Sequence, residues 1–166
     1  EDYAKARGAK VYCYALGFGH GRKNVKFGKL VGSGVALDKA INDALADAGI
    51  SAADIDAVCG FANGCKRIDD IEKGALQRVF GDKLASMPLF EVKERVGEGR
   101  AGSAALAAAE AALLLNGELA CDNAYFIAGD GSVTSKSADA TNLKKILIIS
   151  FAAGGSYSAV VFGKNP

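Results

Sequence analysis

The sequence predicts an α/β domain of three layers, in which helices cover both faces of a mostly parallel five-stranded sheet with one antiparallel edge strand. Two observations lead to this fold class. Segments rich in β-formers alternate with segments of helical periodicity, which favours parallel strands. Two strand-like segments then follow each other at the chain end, separated by Gly154 and Gly155 as in a tight hairpin. No internal repeat or second domain is visible, so residues 1–166 are expected to form a single domain.

The first third of the chain predicts one strand and one helix. Residues 10–16 are rich in β-formers, and the glycines at 17, 19 and 21 are expected to end that strand in a flexible turn. A basic loop over 22–29 follows. A helix is predicted from about Ser33 to Gly49, because apolar residues recur there at helical spacing.

The middle of the chain continues the alternation. Residues 51–54 resemble a one-turn cap before a strand over 56–61. A second helix is expected to begin near Asp69, where acidic groups favour the macrodipole, and to stop at Gly81. A short strand over 88–92 follows.

The last third predicts a helix and two strands. The helix over 101–115 is alanine on nearly all sides, which indicates packing between layers and a buried position for Ala104, Ala108, Ala111 and Ala112. Residues 117–143 are polar and are expected to be irregular. Strands over 145–151 and 157–163 close the chain.

Composition excludes several classes of protein. A net charge of +1 argues against a nucleic-acid binder. No apolar run reaches membrane-spanning length, and no leader or lipidation motif is visible. The scattered cysteines indicate reduced thiols and a cytoplasmic location. The chain starts at Glu1 and its one methionine is Met87, so we expect a piece of a longer protein or a processed chain.

Several segments occur together in an order typical of one family. They are Glu1 with Ala4, Ala6, Arg7 and Gly8-Ala9; Ala40 to Val58; Asp70, Glu72, Ala75, Leu76, Val79, Phe80 and Gly81; Lys93 with Gly97; and Ser150-Phe151 with Gly154-Gly155. The set resembles the C-terminal half of β-ketoacyl-acyl-carrier-protein synthases, which is one half of the thiolase fold. The resemblance covers almost the whole chain.

The departures from that family fall on its functional positions. The resemblance places one family histidine at Phe61 and the second at Glu98, whereas the family lysine is retained as Lys93. The Gly-Thr-Gly-Thr that follows the first histidine becomes Ala62-Asn63-Gly64-Cys65, and the aromatic gate of the closing turn falls on Ala153. The family's nucleophilic cysteine belongs to the N-terminal half.

These departures remove the chemistry that the family performs. Decarboxylative condensation needs a thiolate for the acyl chain and imidazole donors for the developing enolate. Phenylalanine cannot donate a hydrogen bond, and an ionised glutamate repels negative charge. The pattern therefore resembles the chain length factor, the silent partner of heterodimeric ketosynthases, and implies no catalytic residue and no cofactor in this chain.

Two charged residues have structural alternatives. Lys93 is either a remnant of the family's site or a structural lysine paired with Glu94 or Glu98, and we favour the second. Glu98 is either a general base or a member of a structural salt bridge, to Arg95 or Arg100, and again we favour the structural role.

Cysteine and glycine patterns also have plainer interpretations. Cys59 and Cys65 could form a metal pair or supply a nucleophile, but they lack zinc-ligand spacing and His20 is the single imidazole. No metal site is predicted, and both cysteines are expected to be buried thiols. The closing turn, with Ala152 and Ala153, has no thiolase cysteine. The glycines at 17, 19 and 21 lack an immediate helix and do not indicate a nucleotide site.

A basic run consists of Arg22, Lys23, Lys26 and Lys29, and His20 is expected in this same loop. A solvated loop is the default interpretation. The alternative is a docking site for an acidic acyl carrier protein, since opposite potentials steer encounter.

Three hypotheses for function follow. The first is a catalytically silent half that completes the fold of an N-terminal half and pairs with an active ketosynthase in fatty-acid or polyketide chain elongation. Its junction with the other half would include Phe61, Asn63, Cys65, Ala152 and Ala153. The second is a fragment of an active, divergent synthase whose nucleophile lies on the missing half. The third is a stand-alone binding module.

Overall fold

A computed structural model describes residues 2–25 and 34–166. Over those residues, one sheet lies between two helical layers. The strands are β1 (Tyr14–Arg22), β2 (Ala57–Cys59), β3 (Leu89–Phe90), β4 (Ala124–Ile127), β5 (Val133–Lys136), β6 (Lys145–Ala152) and β7 (Ser156–Gly163). The helices are α1 (Asp2–Ala6), α2 (Val35–Asp47), α3 (Lys66–Phe80), α4 (Val92–Val96) and α5 (Ser103–Leu115), with 3₁₀ turns at Ala52–Asp54, Gly81–Ala85 and Arg100–Gly102.

The layers form two hydrophobic clusters, one on each face of the sheet. On one face, Leu37 and Ile41 of α2 and Leu76 of α3 belong to a cluster with Leu147 of β6. On the other face, Leu114 of α5 clusters with Ile146 and Ile148 of β6 and with Cys59 of β2. Alternate residues of β6 thus face opposite layers, as the pleat of a strand requires.

The strand order in the described part of the chain is β1-β7-β6-β2-β3-β4-β5. Only the β6–β2 and β2–β3 pairs are parallel, and the other pairs are antiparallel. The prediction of three layers is confirmed, but the prediction of a mostly parallel sheet of five strands is wrong. The difference arises because 117–143, expected to be irregular, contains the β4–β5 hairpin, and because β7 pairs on both sides in antiparallel fashion.

The glycines at 17, 19 and 21 lie inside β1 and do not break it, so that prediction is also wrong. These glycines face α2, and a Cβ on Gly17, Gly19 or Gly21 would overlap a backbone carbonyl oxygen of Ala44, Ala40 or Ala36. We call this contact the glycine seam. Side chains are excluded from this face because the helix backbone lies directly on the strand.

Helix α5 differs from its predicted environment. Ala111 is fully buried, but Ala108 and Ala112 are half-buried and Ala104 is exposed. The buried stripe of α5 runs instead through Ser103, Ala107, Glu110, Ala111, Leu114 and Leu115. One side of this apolar helix is therefore not covered by the described residues.

Other element boundaries shift by a few residues. Helix α3 begins at Lys66, before the predicted start, and the segment after β3 forms α4, a helix that the sequence pattern does not predict. Within the described part of the chain, no helix has the length and apolar character that crossing a bilayer would need.

The glycine seam generates the first prediction. Gly19→Ala should lower the free energy of unfolding by about 1–3 kcal/mol, because the added methyl group overpacks against the α2 backbone. Gly102→Ala is the matched control, since no atom lies within 4 Å of the position that its methyl group would take, and its change should stay within about 0.5 kcal/mol. Urea denaturation of both variants measures the difference. Equal stability of the two variants would show that α2 can move away from β1 without cost.

Candidate functional site

Residues that the sequence analysis expects at functional positions meet beyond the carboxyl end of β2. The ring of Phe61 stacks on Phe151 of β6, with centroids 4.7 Å apart and planes 4° from parallel. The ammonium group of Lys93 lies over the Phe61 ring, 3.2 Å from its centroid. Phe151 also meets Tyr157 edge-on at 5.0 Å. Such contacts of ammonium and aromatic groups stabilise a desolvated lysine.

Lys93 forms an ion pair with Glu98. Its Nζ lies 2.9 Å from Glu98 Oε2, and only 7% of the Lys93 side chain is exposed. Glu98 is one of the two partners predicted for Lys93. For Glu98, the sequence predicts a salt bridge to Arg95 or Arg100, whereas its partner in the structure is Lys93.

Glu98 is held in place by further bonds. Its Oε1 accepts hydrogen bonds from the Arg100 backbone N–H at 2.6 Å and from the Ser103 hydroxyl at 2.9 Å. Lys93 first, and then the Ser103 hydroxyl and the Arg100 amide, hold the pKa of Glu98 below its usual range. Glu98 is therefore an ionised partner of Lys93, which does not suit a general base.

A carboxylate from α3 fixes the loop that carries Phe61. Glu72 accepts hydrogen bonds from the Phe61 N–H through Oε1 at 2.7 Å and from the Ala62 N–H through Oε2 at 2.9 Å. Glu72 is 5% exposed, and Ala62 has a φ of 27°, which is unusual for a residue with a Cβ. The two bonds stabilise a backbone conformation that alanine alone disfavours.

Glu72 is a site residue that the sequence reasoning does not single out, although the sequence carries a signal for it. In α3 it occupies the same buried stripe as Ile68, Ala75 and Leu76. An acidic residue on an apolar helix stripe must find hydrogen-bond donors when it is buried. Burial raises the pKa of Glu72 to about 7, and the amides of Ala62 and Phe61 oppose that increase.

A cavity of about 250 Å³ adjoins this carboxylate. Its lining includes Asp69, Glu72, Glu91 and Tyr125. The pKa of Glu91 is raised to about 7, mainly by burial and then by the charges of Glu72 and Asp69. Across 2–25 and 34–166, no group of three histidine, cysteine or acidic side chains is arranged to hold a metal ion.

The remaining junction candidates occupy two loops. Asn63 Oδ1 accepts the Cys65 N–H at 3.0 Å. Cys65 is exposed, so the expectation of a buried thiol is wrong for it, because it lies in the loop before α3 and not in the sheet. Cys59 lies fully buried in the sheet, and burial raises the pKa of its thiol well above the usual value. Ala152 and Ala153 are exposed around the β6–β7 turn. Their roles at a junction stay predictions.

The basic run is only partly described. Arg22 ends β1 and Lys23 follows it, both exposed, whereas Lys26 and Lys29 lie outside the described residues. His20 lies in β1 and not in the loop where it was expected, because the strand continues through the glycines. It pairs with Ser158 across β7, and its Nε2 is 2.8 Å from Ser156 Oγ.

The arrangement around Phe61 compensates the charges that it buries. Its charged groups are a buried ammonium already paired with a carboxylate and a carboxylate already bound to two amides. Lys93 Nζ is buried and makes no hydrogen bond within the described residues, so the ion pair with Glu98 and the Phe61 ring are what compensate its charge.

Comparison with known proteins gives one family. A family model described as "Beta-ketoacyl synthase, C-terminal domain" matches residues 12–126. A 3-oxoacyl-[acyl-carrier-protein] synthase 2 of Rhizobium meliloti (strain 1021) is 30% identical over 120 residues, which are 72% of this chain and 28% of that protein.

Solved structures share the fold. A chain of a type II polyketide synthase acyl-carrier protein in complex with its ketosynthase, bound to the hexaketide, superimposes with a TM-score of 0.80 at 21% identity over 98% of this chain and 41% of that one. A ketosynthase in complex with its chain length factor, from Xenorhabdus doucetiae, gives 0.71 at 24% identity over 93% and 39%. The chain thus spans well under half the length of these relatives.

The raised pKa values of Glu72 and Glu91 generate the second prediction. Both groups titrate near 7 when folded and near 4.5 when unfolded, so between these values the folded protein binds more protons than the unfolded chain. The contribution of these two groups to the free energy of unfolding should therefore be largest below about pH 4.5 and should be lost as the pH rises through 7. Urea denaturation between pH 5 and 8 measures this fall.

Glu72→Gln and Glu91→Gln should each flatten that dependence. The exposed Glu118→Gln is the control and should leave it unchanged, because Glu118 lies far along the chain and pairs with Lys10 at the surface. A wild-type stability that stays constant or rises from pH 5 to 8 would contradict the prediction.

Proposed function

Because the chain belongs to the β-ketoacyl synthase C-terminal domain family, we propose that it is the C-terminal half of a ketosynthase-like protein in fatty-acid or polyketide chain elongation, of the catalytically silent, chain-length-factor type. In this role it completes the fold of an N-terminal half and pairs with an active ketosynthase. The half has no condensing chemistry of its own and needs no cofactor.

The observation that carries this proposal is the closed cluster of Phe61, Lys93 and Glu98. The Lys93 ammonium contacts both the Phe61 ring and the Glu98 carboxylate, so the three residues that the resemblance assigns to family positions lie close in space. In an active site, these positions would supply neutral imidazole donors to an enolate. Here a phenyl ring and an ionised carboxylate enclose the lysine, which supports a structural role.

The relatives support the proposed partners. One structural relative is a ketosynthase in complex with its chain length factor, and another is an acyl-carrier protein in complex with its ketosynthase. We propose a ketosynthase subunit and an acyl carrier protein as partners of this chain, and neither nucleic acid nor membrane. Arg22 and Lys23 remain the described candidates for carrier docking, together with Lys26 and Lys29.

The open side of α5 supports an N-terminal half as the covering partner. Leu106 is 41% exposed on a helix that is otherwise alanine and leucine on this side, and Phe18 of β1 is 56% exposed. A protein seldom leaves contiguous apolar surface uncovered. The junction would extend from α5 toward Ala152 and Ala153, with Phe61, Asn63 and Cys65 at its centre.

A divergent active synthase is the second candidate, because Lys93 of the family motif is retained and buried. In that case the missing half supplies the nucleophile and the compensating donors. A cysteine at a helix start in the missing half would favour this candidate. Glutamine or another non-nucleophile at that position would favour the silent half. A stand-alone binding module is the third.

The replacement of both family histidines, by Phe61 and Glu98, generates the third prediction. The isolated chain should release no carbon dioxide from malonyl-carrier protein in the presence of acyl-carrier protein, while a known ketosynthase does so in the same assay. Turnover at rates typical of enzymes, about 1 s⁻¹ or more, would end the proposal of a silent half.

The same assay on the complete complex separates the two candidates. Lys93→Met should leave turnover within about twofold if this half is silent, and should lower it by about 10²-fold or more if Lys93 acts on the reacting groups. Lys164→Met is the control, since Lys164 is an exposed lysine after β7. Loss of turnover in the Lys93 variant alone, in an intact complex, would favour the active synthase.

The uncovered side of α5 generates the fourth prediction. Leu106→Lys should prevent association with the other half, because it places a charge in an apolar junction that should bury more than about 1,600 Å². Val133→Lys is the control, because Val133 on β5 is also 41% exposed but lies at the far edge of the sheet. Co-purification followed by mass determination measures the complex. A wild-type chain that is a folded 17.0 kDa monomer without a partner would contradict the prediction and favour the stand-alone module, and so would undiminished association of Leu106→Lys.

A further inference from the structure

A polar cluster lies at the end of β1, on the face of the sheet opposite the glycine seam. Alternate residues of a strand face opposite sides of the sheet. Gly19 and Gly21 face α2, so His20 and Arg22 lie together on the opposite face. Arg22 pairs in register with Ser156 of β7, and His20 Nε2 is 2.8 Å from Ser156 Oγ. Three polar side chains from two strands therefore converge.

These side chains line a cleft of about 440 Å³. Asn24 adds an amide, and Ala153 and Gly154 of the β6–β7 turn form part of the opposite wall. The lining contains donors of several kinds and no carboxylate among the described residues. Ala153 is small, so the cleft stays open at a turn where the resembled family has an aromatic side chain.

The described residues at the cleft carry positive charge. Arg22 lines the cleft, the exposed Lys23 follows it in the chain, and no carboxylate is among the described lining residues. In the part of the chain that the structure describes, the ion pairs do not include Arg22. A guanidinium without a carboxylate partner in a positive region attracts anions.

The geometry points to a binding site for a phosphate group in this cleft, with Arg22 and Ser156 as its ligands and His20 orienting the Ser156 hydroxyl. A guanidinium binds two phosphate oxygens in a planar fork, and a hydroxyl group donates to a third. When His20 Nε2 donates to Ser156 Oγ, the hydroxyl proton of Ser156 is free to point into the cleft. A tetrahedral anion matches donors that arrive from two strands better than a planar carboxylate does.

The phosphate has two possible sources. One is free inorganic phosphate. The other is the phosphodiester that attaches the prosthetic arm of a carrier protein, and this source rests on the proposed function. The binding chemistry is the same for both, so the site and its natural source are separate questions for experiment.

His20 is the single histidine of the chain, so its imidazole signals report on the cleft alone. Titration of the ¹³C-labelled protein with inorganic phosphate should shift them saturably, whereas sodium chloride at equal ionic strength should not. Arg22→Gln should raise the half-saturating phosphate concentration about tenfold or more, because it removes a charge-assisted pair of hydrogen bonds. Arg67→Gln is the control of equal charge change, at an exposed position in α3, and should bind phosphate as the wild type does.

Equal shifts with chloride and phosphate, or undiminished binding by Arg22→Gln, would overturn the site. Ser156→Ala provides a second variant, expected to weaken binding, and circular dichroism checks that each variant is folded. Carrier protein with its arm should shift the His20 signals more than carrier without it. If the two carriers act alike while phosphate still binds, the site takes free phosphate and the carrier source is wrong. The silent-half proposal is tested independently by carbon dioxide release.

Discussion

One buried carboxylate holds the functional region together. Glu72 accepts the backbone N–H groups of Phe61 and Ala62, and through them it fixes the loop that follows β2. Phe61 then stacks on Phe151 and underlies Lys93, which in turn pairs with Glu98. The position of each group in this series depends on the one before it. A buried acid that satisfies two amides is costly to replace, since both amides would then lose their partner.

The cluster also explains how the fold tolerates changes at positions where the resembled family performs chemistry. A buried lysine with no compensating anion would be strongly destabilising. Glu98 supplies the anion, and Phe61 supplies an aromatic face, so the two departures from the family pattern compensate one another around the retained Lys93. Phe61 and Glu98 together thus stabilise the buried charge of Lys93 in α4.

Much of this organisation can be predicted from the sequence, and the exceptions have physical causes. Helical periodicity locates α2, α3 and α5, and the family resemblance groups Phe61, Lys93 and Glu98. The sequence prediction ends β1 too early because glycines often interrupt strands. In β1 the glycines are required because the α2 backbone lies too close for a Cβ atom. It also misses the β4–β5 hairpin although Asp130-Gly131 is a turn signal, since four-residue strands give little periodicity. Helix α5 is rich in alanine on all sides, so its sequence does not indicate which side is exposed.

Strand β1 has a consequence for how the chain is made. Tyr14 pairs with Gly163 and Arg22 with Ser156, so β1 has no neighbour in this sheet until β7, which comes much later in the chain, has been synthesised. Its three glycines add to that delay, because a chain rich in glycine loses more conformational freedom when it becomes ordered. Pairing over such a separation is slow to nucleate. On the ribosome, β1 therefore stays unpaired until β7 emerges. A chain that ends before Ser156 would lack β7 and would leave β1 without a partner strand.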